Sequence, residues 1–414
     1  MRVTSPKKIS SGKGPLLWKL GFTIGLLTNA CGQSKDDATS VTPANTDCAP
    51  QIGEGVNSKG LLFSAVSSDY QSSSTYFLDF ASGCLRTLLT GQSGDPKITL
   101  LDGDIYLFNR SATDNNFLNL QWQAGTFLQG TQLSNPLPGF GDPSDVIEWK
   151  NAEFLALARS DKSLSRIDLL TGELRQRVSS ENLDTAGQPF FPNALIRQQT
   201  AAGDIVYVVH SYFDTYDDHQ VFLFREDENQ QLVAVDLDPE KELVQGFATH
   251  FTNPSRVLYR DTNEPLIVSL CTTHAKEGCR GGVDVFDLES GHLLNFQDSY
   301  GLYDFSATPG LAPAQHDVIE GAGEREFFLR VSQKDETQRK IIHVKPLYNS
   351  FRIKHEYEAN TTGETAMFYE KAADLFIVGE GLGADKGRLV AYLANGERLE
   401  FEFVGMPYTG VLVP

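Results

Sequence analysis

Positive charge is scarce in this chain. Its 414 residues hold 35 Lys plus Arg against 54 Asp plus Glu, a formal net charge of −19. A surface that acidic repels phosphate backbones, which excludes a nucleic acid as partner. Long apolar runs are also missing. The longest near the N-terminus, Leu20 to Leu27, falls well below the roughly 18 residues of a membrane-spanning helix. Helical periodicity is nearly absent. The familiar catalytic signatures are absent as well: there is no His-Glu-x-x-His, no Gly-x-Ser-x-Gly and no phosphate loop. All eight histidines fall between His210 and His355 without ligand spacing. His210, His250 and His316 could approach one another only if their loops fold inward. What remains is a chain with 40% hydrophobic residues, 36 Gly and 26 Phe, apolar enough to bury a sizeable core.

The first thirty residues carry five basic side chains, Arg2, Lys7, Lys8, Lys13 and Lys19, and no acid. They precede the Leu20–Leu27 run as the n-region precedes the h-region of an export signal. The segment Leu27-Thr28-Asn29-Ala30-Cys31-Gly32 resembles the bacterial lipoprotein signal, although its Leu lies four residues before the cysteine rather than three. The resemblance implies lipidation at Cys31 and, with Gly32 following it, placement at the outer membrane. Plain secretion is the alternative. Residues 31–58 then read as a flexible tether rich in Ser, Thr, Asp, Asn and Pro, and 59–414 as the folded domain. Without residues 1–30 the chain keeps 30 basic and 54 acidic side chains, a net charge of −24.

With Cys31 set aside, an even four cysteines remain. Outside the cytoplasm these predict disulfides, Cys48 with Cys84 and Cys271 with Cys279. A metal site would need closer Cys/His spacing.

Three recurring elements define the body. Strand-forming runs begin with Leu61-Leu62-Phe63 and return at Ile105-Tyr106-Leu107-Phe108, Phe154-Leu155-Ala156-Leu157 and Ile205-Val206-Tyr207-Val208. They continue at Leu266–Leu270, Phe327–Val331 and Leu375–Val378, roughly 45–60 residues apart, the period of four-stranded propeller blades. Turns of one pattern follow: Asp79-x-x-Ser82-Gly83, Asp168-x-x-Thr171-Gly172 and Asp287-x-x-Ser290-Gly291. In these the Gly takes positive φ and the polar side chains cap the turn. Proline marks the start of the innermost strands at Pro96, Pro143, Pro192 and Pro254, where a missing N–H costs nothing. Met406-Pro407-Tyr408 repeats that start at the C-terminus, while the first blade lacks an inner strand before Gly60. The expected fold is therefore all-β, a seven-bladed β-propeller closed by a C-terminal strand in blade one. On its Asp-x-x-Thr-Gly turns the chain resembles the PQQ-like and YVTN-type propeller repeats over residues 60–413.

The long insertions fall between the second and third strands of a blade or between blades, which places them on one face. That face is the expected ligand site, formed by Asp95, Asp142, Phe140, Phe191, Tyr212, Phe213, Asp214, Tyr216 and Asp217. Carboxylates beside aromatic rings suit a glycan, a cationic ligand or a basic peptide. Asp214-x-x-Asp217-Asp218 offers oxygens for Ca²⁺ but lacks a calcium-loop motif, so no cofactor is expected. The sequence favours a monomeric, non-enzymatic envelope lipoprotein, membrane-bound through its lipid, whose propeller face binds a protein or glycan partner. The alternative is a secreted propeller hydrolase or lyase acting on a sugar or lactone at the channel mouth, which would need converging carboxylates or a metal.

Overall fold

A second strand packed on both sides by neighbouring blades must be apolar on both faces, which is why these strands read as unbroken hydrophobic runs. In the computed structural model Gly60–Val66 is buried along its whole length. Its side chains alternate: Leu61, Phe63 and Ala65 join one core cluster, and Leu62 joins another. The same holds for Glu153–Ala158 and Phe327–Ser332.

The structure describes residues 47–48, 52, 56–109, 116–123, 126–132, 142–211, 219–271, 279–294, 302–307, 314–332, 339–347, 350–359, 366–383 and 385–414. The described residues all belong to one compact unit within Val41–Pro414. They form seven antiparallel sheets in chain order, each of four or five strands. Seven hydrophobic clusters alternate with the seven sheets. Phe77 of blade one packs with Leu107 of blade two, and Phe108 with Phe154 of blade three. The sequence continues around the ring until Phe368 and Ile377 of blade seven meet Leu61 and Phe63 of blade one. The fold is a closed seven-bladed β-propeller.

Closure is made by the last strand. Met406–Val413 lies antiparallel to Gly60–Val66, with Val413 opposite Gly60 and Gly410 opposite Phe63. Close approach there needs a residue without Cβ, because a Cβ on Gly410 would sit 2.6 Å from the Leu62 carbonyl oxygen and 2.8 Å from Phe63 Cβ. The Lys59 backbone N–H donates to the Val413 carbonyl at 2.8 Å and its ammonium to the Pro414 carbonyl at 2.6 Å, which ties down the chain end.

The turn pattern works as its chemistry requires. Asp168 Oδ1 accepts the N–H groups of Leu170 (2.9 Å) and Thr171 (2.8 Å), and Gly172 takes φ 70°. Both disulfides form as paired in the sequence analysis, Cys48–Cys84 and Cys271–Cys279. The first fastens the short strand Asp47–Cys48 to the outer edge of blade one. Among the described residues no helix is long and apolar enough to cross a membrane.

Candidate functional site

Five of the seven innermost strands carry a proline at their start, Pro96, Pro143, Pro192, Pro254 and Pro407. At five of the seven starts the ladder slips by one residue, between Pro143 and Asp145, Pro192 and Ala194, Pro254 and Arg256, Gln315 and Asp317, and Pro407 and Thr409. A bulge bends the strand and re-aims the extra residue. Here the bulged side chains latch neighbouring blades together. Ser144 Oγ donates to the Pro192 carbonyl (2.6 Å), Asn193 Nδ2 to the Pro254 carbonyl (2.9 Å), and Tyr408 Oη to Asp95 Oδ1 (2.7 Å). Lys97 Nζ, from a start without a bulge, donates to the Ser144 carbonyl at 2.8 Å.

Within this ring of latches lies a cavity of about 420 Å³ on the propeller axis. Its lining includes five cationic side chains, Lys97, Arg159, Arg256, Arg260 and Arg330, and two carboxylates, Asp145 and Asp317. Five positive against two negative charges leave a local excess of three in a strongly acidic protein. The cavity therefore attracts anions that the outer surface repels.

The two carboxylates differ in what is left of their hydrogen-bonding capacity. Asp145 is buried and saturated: Oδ1 accepts Val146 N–H (3.0 Å) and lies 3.4 Å from Lys97 Nζ. Oδ2 accepts Leu195 N–H (2.8 Å) and pairs with Arg260 at 2.7 Å. Burial pushes its carboxyl up, yet the charges of Arg260 and Lys97 and these hydrogen bonds outweigh burial and hold it below the usual carboxylate range. Asp317 is less buried, with 25% side-chain exposure, and sits 3.4 Å from Arg256 Nε. Its Oδ1 accepts Val318 N–H at 2.9 Å. Among the described residues nothing donates to its Oδ2, so one carboxylate oxygen stays open to the cavity. Asp317 stands opposite Arg330 in the ladder of blade six.

Of the nine residues expected to form the ligand face, three lie in the described structure. Each immediately precedes a proline, one residue outside the cavity lining for Asp95 and two for Asp142 and Phe191. Asp95 receives the Tyr408 hydroxyl. Asp142 takes φ 51°, and its carbonyl accepts the Arg159 N–H at 3.1 Å. Phe191 carries the Arg159 guanidinium over its ring at 4.7 Å. Phe140, Tyr212, Phe213, Asp214, Tyr216 and Asp217 lie outside the described residues, as do Asp218 and Cys31. The described centre is cationic: the residues after the strand-starting prolines, rather than those before them, line the cavity.

Sequence reasoning passed over Lys97, Ser144, Asp145, Asn193, Arg256, Asp317 and Tyr408. All but Asp317 are marked by one signal, a polar residue one or two places after a strand-starting proline. Among the described residues no histidine lines the cavity. His210 is fully buried, and its Nδ1 accepts the Phe191 N–H at 2.9 Å. His250 Nδ1 lies 2.6 Å from the buried Asp284 carboxylate, which raises the imidazole above its ordinary value through that hydrogen bond. The His316 side chain is outside the described residues.

No family model matches the sequence, and no curated protein matches it either. Solved structures do match in fold. The chain is similar to a putative 6-phosphogluconolactonase of Bacteroides fragilis, with TM-score 0.57 and 11% identity over 87% of this chain and 100% of that one. A periplasmic gluconolactonase of Pseudomonas aeruginosa gives TM-score 0.57 and 15% identity over 86% and 99%. A putative 6-phosphogluconolactonase of Bacteroides uniformis gives 0.56 and 11% over 85% and 99%. At these identities the likeness establishes the fold.

Proposed function

We propose that the chain is a hydrolase of sugar-derived lactones, with its active site in the axial cavity and a preference for lactones that carry an anionic group. This replaces the non-enzymatic binding scaffold favoured by the sequence. That expectation is overturned by the propellers similar to this chain over nearly their whole lengths, which are named as lactonases. The observation that carries the proposal is the open oxygen of Asp317 beside an excess of cations.

Lactone hydrolysis needs a base to deprotonate water, donors for the oxyanion and an acid for the ring oxygen. Asp317 Oδ2 is the base: it takes a proton from a water whose oxygen bonds to the lactone carbonyl carbon. The neighbouring Arg256 Nε, 3.4 Å from Oδ1, holds the carboxylate in position. Arg330 and Lys97, both lining the cavity, stabilise the tetrahedral oxyanion. When the ring C–O bond breaks, the proton on Asp317 passes to the departing alkoxide, and the free acid loses its own proton to solvent. Asp145, with all its acceptor sites used, holds Lys97 and Arg260 in place and takes no part in proton transfer.

Export through the N-terminal leader and lipidation at Cys31 belong to the proposal, supported by the leader pattern and by the periplasmic setting of the Pseudomonas aeruginosa protein. Labelling with a palmitate analogue in cells checks it, with Cys31→Ser expected to abolish the label. The activity is tested by following acid release from glucono-δ-lactone and its 6-phosphate, corrected for spontaneous opening. Turnover of at least one, with higher kcat/KM for the phosphorylated substrate, is expected. No rate above the spontaneous one for either would refute it.

A further inference from the structure

The cations of the axial cavity are held in different ways. Lys97 and Arg260 share the carboxylate of Asp145, and Arg256 lies beside Asp317. Arg159 meets two neutral groups. Its guanidinium lies over the Phe191 ring, 4.7 Å from the centroid, and its Nη2 donates to Asn193 Oδ1 at 3.2 Å. An aromatic face and an amide oxygen fix the plane of a guanidinium without cancelling its charge.

These contacts are braced in turn. The Arg159 backbone N–H donates to the Asp142 carbonyl at 3.1 Å, which sets where the side chain leaves blade three. Asn193 is 5% exposed, and its Nδ2 donates to the Pro254 carbonyl of blade five at 2.9 Å. Three blades thus fix one guanidinium at the cavity wall. Asp317, with its open oxygen, comes from blade six. In a ring of seven, blades three and six stand across the axis from each other, so Arg159 and Asp317 line the same cavity from opposing sides.

We infer that Arg159 is the specificity-determining residue of the site: it anchors a phosphate on C6 of the lactone while the carbonyl at C1 faces Asp317. The two groups leave the sugar ring at different corners, as binding points on different walls require. A phosphate is the anion that fits. A guanidinium offers it several N–H donors in one plane, and a lining with five cations against two carboxylates favours a dianion. The inference rests on the lactonase reading for the sugar scaffold, but not for the anion contact. Arg159 stands just after the strand Glu153–Ala158, outside its ladder, so replacing it is expected to leave the blade folded.

1,5-Anhydroglucitol and its 6-phosphate have the ring of glucono-δ-lactone with a methylene in place of the carbonyl, so neither is turned over. By calorimetry, wild type is expected to bind the phosphate at least about thirtyfold more tightly than the parent, the worth of a charge-assisted contact. Arg159→Gln should bring the two within about threefold. Arg159→Lys, which keeps the charge but loses the fork, should fall between. A crystal structure of the phosphate complex should place phosphate oxygens on the Arg159 guanidinium. Equal binding of both compounds by wild type, a folded R159Q that keeps the full preference, or a phosphate seated on Arg256 and Arg330 would each overturn the assignment. Should R159Q fail to fold, R159K carries the comparison, and an undiminished preference there would count against the anchor. Phosphate preference lost in R159Q, without lactone turnover by wild type, would overturn the hydrolase and leave the anchor standing. Lactone turnover with the preference intact in R159Q would overturn the anchor and leave the hydrolase standing.

Discussion

Ring closure by the C-terminal strand can be tested at one methyl-bearing side chain. Val413 is 2% exposed and packs with Leu62 and Phe77 in the core between blades one and two. Replacing it by Ala removes two methyl groups from water-free surroundings, about 1.6 kcal/mol at ~0.8 kcal/mol each. The hole left behind adds roughly 0.5–1 kcal/mol, since the site cannot collapse while the Lys59 contacts hold the strand end. A loss of about 2–3 kcal/mol is therefore expected for V413A. Val404, 68% exposed on the outer strand of blade seven, serves as control, with Val404→Ala within about 0.5 kcal/mol of wild type. Urea unfolding followed by tryptophan fluorescence reads both, provided the m-value is unchanged. If V413A costs no more than V404A, the last strand is not part of the core. Truncation after Gly405 removes the strand altogether and leaves the inner edge of Gly60–Val66 unpaired. It should approach the whole stability of about 5–15 kcal/mol typical of a domain, and a cost below about 1 kcal/mol would refute closure.

The Cys48–Cys84 bridge closes a segment of sequence separation 36, and on loop-closure entropy Cys48→Ser with Cys84→Ser costs about 3–4 kcal/mol; thermal melting of the double variant reads it, and an unchanged midpoint would argue against the linkage. The turn carboxylates Asp168 and Asp287 are both held below the ordinary carboxylate range, Asp168 by the Arg175 hydrogen bond and turn N–H groups that outweigh its burial, and Asp287 first by Ser290. Their contribution is present above about pH 3.9, the unfolded value, and is lost as pH falls through the lowered folded values. Chemical denaturation between pH 5 and 2 should therefore show a shallower fall in stability for Asp168→Asn than for wild type, and parallel curves would refute it. Asp145→Asn leaves Lys97 and Arg260 without their carboxylate and should cost about 3 kcal/mol or more in the same assay.

The blades are legible in the sequence because their signals are local. A second strand such as Phe154–Leu157 is apolar on both faces by necessity, and a turn such as Asp168–Gly172 carries its own caps and its positive-φ glycine within five residues. The pairing of Met406–Val413 with Gly60–Val66 is legible for a different reason: blade one lacks a strand and the C-terminus supplies one. The cavity's one local mark, a polar residue shortly after a strand-starting proline, does not say which side chains meet. Lys97, Asp145, Arg256 and Asp317 come from four blades and meet only when the ring closes. Whether a residue after Pro143 or Pro254 faces the axis depends on a one-residue slip in the ladder that no period-two pattern announces. Long polar loops draw attention because they vary, yet the described centre is built from strand starts, where Asp95, Asp142 and Phe191 stand just outside and their successors face in.

Asp317→Asn separates the account from its rivals most directly. The substitution keeps shape and the contact with Val318 N–H while removing the base. With the 6-phosphate of glucono-δ-lactone, kcat should fall by about 10²–10⁴-fold, the usual worth of a positioned base, while KM stays within a few-fold because the cations that bind the anion are untouched. A D317N protein that is folded and retains wild-type kcat would contradict the assignment of the axial cavity as a lactone-opening site.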